Sequence, residues 1–559
     1  MKTASSRTKA QESSTAIGRM YITMRHLFNR GFYKPMGISG ESLRQGLLSL
    51  EPEIYGTISE SKSEINGLEY VIDRLPEGIA ECRFVNLTSE EGYGGAHFTP
   101  IIPPKRRRNC YRIDAEQMNI EITRGRSEIY DILTHVTFLY IEADKICDRV
   151  LISKTGRTTR DFEKLEEAVL ASKKLTIANQ EIAITHTANI LGRSFSEIKE
   201  AYDRFSTPKN PKRFLQIIYF MGKLAINERI DQEKRTITFS PLLRERIGHH
   251  IHGEIWANKV KQTLEKQGWL NKPLHLISSN MHSVLNTLYA PLVASKLFAN
   301  KDSFSGFETL SKPEAKKQQE AIFKYAQKQG MVFIEDTSGA NVNVQLFDLS
   351  KINWAQLPFE PPTGELPIII VMDYAFGEQA YETVDELLKP YQTKEGNTAY
   401  LSMKSISIMG KAGILEGDKG DIMIPSAHIF EGTSDNYPFY NDLTKEDMDG
   451  FGLSVFEGSM VTVLGTSLQN KDILLYFRNS TWNAIGIEME GAHYQKAIQS
   501  ASKIRKSISS DVVVRYAYYA SDNPLKTGST LASGGLGTTG VKPTYLITHK
   551  MIQKIINSK

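Results

Sequence analysis

Two acids flank one methionine in Ile487-Glu488-Met489-Glu490-Gly491-Ala492, between a short apolar approach and small residues that open a helix. Burying either carboxylate is costly unless it is paired or hydrogen-bonded. The acids have two readings: they complement the dipole of a helix start, or they serve a ligand. A further acid stands in Ser521-Asp522-Asn523-Pro524-Leu525, directly after the apolar run Asp511-Val-Val-Val-Arg-Tyr-Ala-Tyr-Tyr-Ala. It reads as a turn or cap residue, or as a reactive group at a strand end. The third stretch is Met409-Gly410-Lys411-Ala412-Gly413-Ile414-Leu415. Glycines at a strand end let the backbone approach a ligand and aim amides at an anion.

These stretches need a scaffold. Leu366-Pro-Ile-Ile-Ile-Val-Met is the clearest strand, and its continuous apolar run suits a parallel sheet covered on both faces. Strands are also expected in 273–280, 331–335, 342–347, 405–409, 421–425, 460–464 and 511–520, alternating with helical stretches. That alternation predicts an α/β domain. In open α/β sheets, sites form at the carboxyl ends of strands, where all three stretches fall.

Before residue 270 the texture differs. Residues 1–16 are polar and are expected to be a disordered tail. Residues 17–269 carry helical periodicity, including 127–150, 160–190 and 194–205, and predict a mainly α-helical domain with a regulatory or oligomer-forming role. Residues 270–559 form the α/β domain. His249, His250 and His252 lie close in sequence but point in different directions along a helix, so no metal site is expected. Lys105-Arg106-Arg107-Arg108 is a basic run that grips a phosphate or is simply a solvated loop.

Composition excludes several classes. The formal net charge is +4, from 68 basic and 64 acidic residues, without the basic surplus of an electrostatic nucleic-acid binder. The 3 cysteines, Cys82, Cys110 and Cys147, suit neither a disulfide framework nor a zinc site and point to a reducing, cytoplasmic compartment. The N-terminus lacks the apolar core of a signal peptide. No apolar run approaches a membrane span, so no membrane partner is expected.

Taken together, Gly410-Lys411-Ala412-Gly413, Ile487-Glu488-Met489-Glu490-Gly491-Ala492 and Ser521-Asp522 resemble, in order, the motifs of the purine nucleoside phosphorylase and nucleosidase superfamily. The continuation Ser521-Asp522-Asn523-Pro524-Leu525-Lys526-Thr527-Gly528 is most similar to the AMP nucleosidase branch. The resemblance covers residues 366–559, and at most 273–559. It implies a nucleoside phosphorylase-like, three-layer α/β/α domain with a mixed sheet. It also implies cleavage of an N-ribosidic bond of a purine nucleoside or nucleotide, through an oxocarbenium-like sugar.

The resemblance assigns roles. Glu490 holds the ribose hydroxyls and complements the developing cation, and Met489 packs against the sugar. Asp522, beside Ser521, protonates the leaving purine, which requires a raised pKa. Ile487 and Glu488 lie along the base, and Gly410, Lys411, Ala412 and Gly413 lie near the nucleophile. Water is the preferred nucleophile, phosphate the alternative co-substrate, and no cofactor is implied. A non-catalytic nucleotide-sensing protein is the other reading, and by analogy a homo-oligomer is expected.

The chain departs from the family pattern in three ways. Lys411 is an unusual side chain for the glycine loop. Glu490 and Asp522 stand 522 − 490 = 32 residues apart, which places an insertion at 499–511. No phosphate-binding arginine falls in a matched motif. Arg478 and Arg515 are the candidates, each with a structural role as the competing reading, and the loop 278–283 is a candidate phosphate loop. Gly535-Leu-Gly-Thr-Thr-Gly540 matches a dinucleotide fingerprint only in spacing, because no strand leads directly into it and no acid follows at the required distance. It reads instead as a mobile loop after Asp522.

Overall fold

A computed structural model describes residues 8–106, 108–171, 175–298, 303–360, 364–433, 435–526 and 536–557. The chain divides into two compact units. The first takes the residues up to Thr123, then Glu128–Gly248 and Ser467–Ile473. The second takes Arg124–Ser127, His249–Thr466 and Leu474–Lys559.

The first unit carries strands as well as the helices expected of it. Its first helix, Lys9–Arg30, begins in the stretch expected to be disordered. A capping box holds it: Thr8 accepts from the Gln11 amide, and Gln11 reaches back to the Thr8 amide. The unit also contains a five-stranded mixed sheet in the order Phe32–Tyr33, Thr236–Phe239, Phe84–Thr88, Gln117–Glu121, Cys110–Arg112. Strands this short offer few alternations to count, so helical periodicity dominates the sequence around them. The expected helix over 160–190 is two helices, Arg160–Leu170 and Ile177–Leu191. In the basic run, Arg106 pairs with Asp131 at 3.0 Å and the buried Arg108 with Glu128 at 3.2 Å. Those arginines are spent on ion pairs; Arg107 lies outside the described residues.

The second unit begins at His249 rather than at 270, because helix Ile251–Lys266 lays Trp256, Ala257, Val260 and Leu264 on the sheet. Helical periodicity reads the same on both sides of such a boundary. The sheet has ten strands. Nine follow the order Asp435–Pro438, Ile422–Phe430, Val455–Thr462, Ala484–Glu488, Met403–Ile414, Leu274–Ser278, Ile368–Met372, Val344–Asp348, Val332–Ile334. The tenth, Val513–Asp522, runs parallel to Met403–Ile414 and antiparallel to Ile422–Phe430. Five strands therefore close on themselves: Met403–Ile414, Ala484–Glu488, Val455–Thr462, Ile422–Phe430 and Val513–Asp522.

Alternation along each strand fills two cores. Ile368, Ile370 and Met372 join the core beneath helices Ile251–Lys266, Gln379–Leu387 and Gly491–Gln499. Ile369 and Val371 join the other, beneath Ser283–Val293, Lys316–Lys328 and Val541–Ile556. The unit thus has three layers with a mixed sheet, as the motifs implied. All five residues of Ile368–Met372 are fully buried, each contributing about 1.5–3 kcal/mol.

Candidate active site

Four parallel strands, Leu274–Ser278, Ile368–Met372, Met403–Ile414 and Val513–Asp522, end on one edge. Ala484–Glu488 meets that edge from the opposite direction, with Ile487 beside Gly413. Gly413 pairs on its other side with Asp522. Two strand spacings separate the Cα atoms of Ile487 and Asp522, at most about 10 Å. The Glu488-Met489-Glu490 turn and Ser521-Asp522 thus lie on either side of one strand.

The two acids of the turn have different fates. Glu488 is buried beside His428. Its carboxylate accepts from the Thr462 hydroxyl and from the amides of Glu490 and Gly491. Thr462 in turn accepts from the Ala492 amide at 2.8 Å. The Nδ1 atom of buried His428 lies 3.5 Å from the same carboxylate. Burial alone would raise the Glu488 pKa, but His428, Thr462 and the Gly491 amide outweigh it and hold the carboxyl below the ordinary range. Glu488 therefore ties together the turn at the helix start. A Cβ on Gly491 would meet the His428 ring at 2.3 Å, so the small residue after the motif is required by this cluster.

Glu490 is the N-cap residue of helix Gly491–Gln499, yet its side chain makes no cap bond. One carboxylate oxygen accepts from the Gly377 amide at 3.0 Å, the other from the Met489 amide at 3.3 Å. Burial and the neighbouring Glu488 push its pKa up to about 8, against the two amides and Arg124. Gly377 has φ +56°, and a Cβ there would fall 2.2 Å from the Ser127 hydroxyl. The Glu378 amide donates to that hydroxyl at 3.0 Å.

Arg124, from the short segment 124–127, lies over the Phe376 ring at 5.8 Å and within the field of Glu490. Arg126 pairs with Glu378 at 3.2 Å. Sequence reasoning missed Arg124, because Thr-Arg-Gly-Arg-Ser matches no motif and stands about 360 residues from Glu490.

Asp522 ends the last strand, 5 % exposed, and shares a hydrogen bond with the Ser521 hydroxyl, which also lies 3.0 Å from the Ala412 carbonyl. Asn523 ties the next turn to the Gly417 carbonyl at 2.9 Å. Of the mobile loop expected at 535–540, residue 535 lies outside the described residues and Gly537–Gly540 is a 3-10 turn.

Gly410, Lys411, Ala412 and Gly413 are not a strand-end loop. They belong to Met403–Ile414 and pair with Tyr518, Tyr519, Ala520 and Asp522, with a bulge between Ala412 and Gly413. Glycine suits position 410 because a Cβ would meet the Tyr518 ring at 2.6 Å. Lys411 is exposed, while Ala412 and Gly413 are buried. Ile487 is a buried strand residue and Met489 is partly exposed on the turn.

Arg515 does not reach this edge. Arg515 is 2 % exposed near the other end of its strand and pairs with Asp442 at 2.7 Å. Arg478 lies in the last turn of helix Lys471–Asn479, which leads into the start of Ala484–Glu488. The loop after Leu274–Ser278 is on the site edge: Ser278 shares a hydrogen bond with the Tyr494 hydroxyl at 2.8 Å, and Asn280 caps the turn into Ser283–Val293. Among the described residues no group of His, Cys, Asp and Glu could hold a metal. His252 bonds the Ser338 carbonyl at 2.6 Å and His250 packs on Tyr381. No helix among them is long and apolar enough to cross a membrane.

A profile described as a family of unknown function (DUF6909) matches residues 41–297 and 304–557. No curated protein matches the chain. Among solved structures, a futalosine hydrolase mutant of Helicobacter pylori aligns at 12 % identity over 51 % of this chain and 99 % of that one, with a TM-score of 0.29. A 5'-methylthioadenosine/S-adenosyl homocysteine nucleosidase of Campylobacter jejuni aligns at 12 % identity, over 51 % and 98 %, with a TM-score of 0.29. A uridine phosphorylase of Schistosoma mansoni aligns at 13 % identity, over 53 % and 91 %, with a TM-score of 0.30.

Proposed function

The chain belongs to this family of unknown function, and we propose that it cleaves the N-ribosidic bond of a purine nucleoside or nucleotide by hydrolysis. The carrying observation is the pair of acids on either side of Gly413: Glu490 held by the Gly377 amide, and Asp522 at the end of the neighbouring strand. Glu490 binds the sugar hydroxyls. Its charge, once ionised, complements the sugar cation that develops as the bond breaks. Asp522 gives its proton to the leaving purine, and water adds to the anomeric carbon with loss of a proton.

The strand pairing of Gly410 to Gly413 supports water over phosphate as nucleophile, since these residues form no strand-end anion loop. Arg124, within the field of Glu490, supports a phosphate-bearing substrate such as AMP. The test is release of adenine from AMP and adenosine, and of hypoxanthine from inosine, by the full chain with and without phosphate. Release without phosphate is expected. Release only with phosphate would make the protein a phosphorylase. Binding with no release would leave a nucleotide sensor.

A further inference from the structure

Three phenols of the closed strand set and its helix lie in one cluster: Tyr494, Tyr516 and Tyr518. Two of them have hydrogen-bond partners. Tyr494 shares its bond with Ser278 at 2.8 Å, and Tyr516 donates to Gln495 at 3.1 Å. Tyr518 is 2 % exposed, and its hydroxyl has no hydrogen-bond partner among the described residues. A buried hydroxyl left unbonded is unfavourable, and such groups in native proteins need an explanation.

The position of Tyr518 supplies one. It stands four residues before Asp522 on the same strand and opposite Gly410, whose missing side chain leaves room for the ring. Its charged and titratable neighbours include Glu488, Tyr516, Glu490, Tyr494 and His428, whose ring meets the Tyr518 ring edge-on at 5.9 Å. Glu488 is already satisfied by three donors. The Ser278 hydroxyl already occupies Tyr494, and the Gly377 and Met489 amides occupy Glu490. The phenol thus stands on the strand that ends at Asp522 and within the field of Glu490, with its own bonding capacity unused.

We infer that Tyr518 is a substrate-binding residue whose hydroxyl bonds a sugar hydroxyl beside Glu490, so that the site selects hydroxylated sugars. The inference rests on the proposed nucleoside site. A phenol can donate to the sugar oxygen and accept from the sugar hydroxyl. It therefore adds selectivity that Glu490 in its ionised form, which only accepts, does not supply.

The test is calorimetric binding of adenosine and 2′,3′-dideoxyadenosine to the full chain and to its Tyr518→Phe variant, with thermal unfolding of both proteins. The substitution removes only the hydroxyl. Adenosine binding is expected to weaken about fivefold to tenfold, dideoxyadenosine binding to stay unchanged, and the unfolding temperature to hold or rise. Unchanged adenosine binding would overturn the inference, as would an equal loss for both ligands. A lowered unfolding temperature with unchanged binding would make Tyr518 structural. Wild-type protein that binds neither ligand would overturn the nucleoside site itself, whereas binding without base release would leave this inference standing and remove only the enzymatic reading.

Discussion

The Gly377 amide donates to the Glu490 carboxylate at 3.0 Å across 113 residues of chain. The contact depends on a glycine: φ is +56°, and a side chain would run into Ser127. A residue forced into that conformation adds strain. Gly377→Ala is therefore expected to shift the amide and cut base release at least tenfold, measured as kcat/KM, while the fold persists by circular dichroism. A variant as active as wild type would mean that Glu490 needs no such anchor.

Glu490 also gives a pH signature. Its pKa is pushed from 4.5 to about 8 by burial and by Glu488. Between these values the folded state holds a proton that the unfolded state has lost, so stability falls as pH rises. The contribution is complete below pH 4.5 and is lost through about pH 8. Glu382, also raised to about 8, titrates in the same window, so the comparison must be made against Glu490→Gln. That variant is expected to lose less unfolding temperature between pH 5 and pH 9 than wild type. Parallel curves for the two proteins would contradict the raised pKa.

Asp522→Asn keeps the shape of the strand end and removes the transferable proton. Base release is expected to fall by about 10²–10⁴-fold, with adenosine binding by calorimetry within a few-fold of wild type. Equal loss of binding and turnover would instead make Asp522 a substrate-holding group.

The sequence and the structure agree where long apolar runs set the answer, and part where close packing does. Ile368–Met372 is a buried strand in both, because an uninterrupted apolar run of that length has few other homes. Gly410-Lys411-Ala412-Gly413 reads as a loop because glycines commonly end strands. Here Gly410 stays inside the strand, since Tyr518 on the next strand fills the space above it. The Glu488-Met489-Glu490 stretch stands out in the sequence, and the structure separates its two acids. Glu488 bonds within the helix start, and Glu490 is held by the Gly377 and Met489 amides. Arg124 was not legible, because nothing local ties it to residues 376–377 and 490.

Arg515 tests the separation of framework from site. Its guanidinium is 2 % exposed, and burial lowers its pKa against the pull of Asp442. Removing one partner of a buried pair costs about 3–5 kcal/mol; Asp442 retains some exposure, which places Arg515→Ala at the lower end, about 3 kcal/mol by urea unfolding. The folded fraction should keep wild-type KM for AMP. A raised KM at unchanged stability would bring Arg515 back as a phosphate ligand.

Glu488 decides whether the first acid of the motif is scaffold or ligand. Its carboxylate receives three donors, the Thr462 hydroxyl and two backbone amides. Glu488→Gln keeps one of its two acceptor oxygens and places an NH₂ group against donors. Stability is expected to fall by about 1–3 kcal/mol. Turnover should fall with it, because the turn that presents Glu490 loosens, and KM and kcat should both move. The scaffold role requires that stability and activity fall together. Activity lost at full stability, with a rise in KM alone, would place Glu488 against the substrate after all.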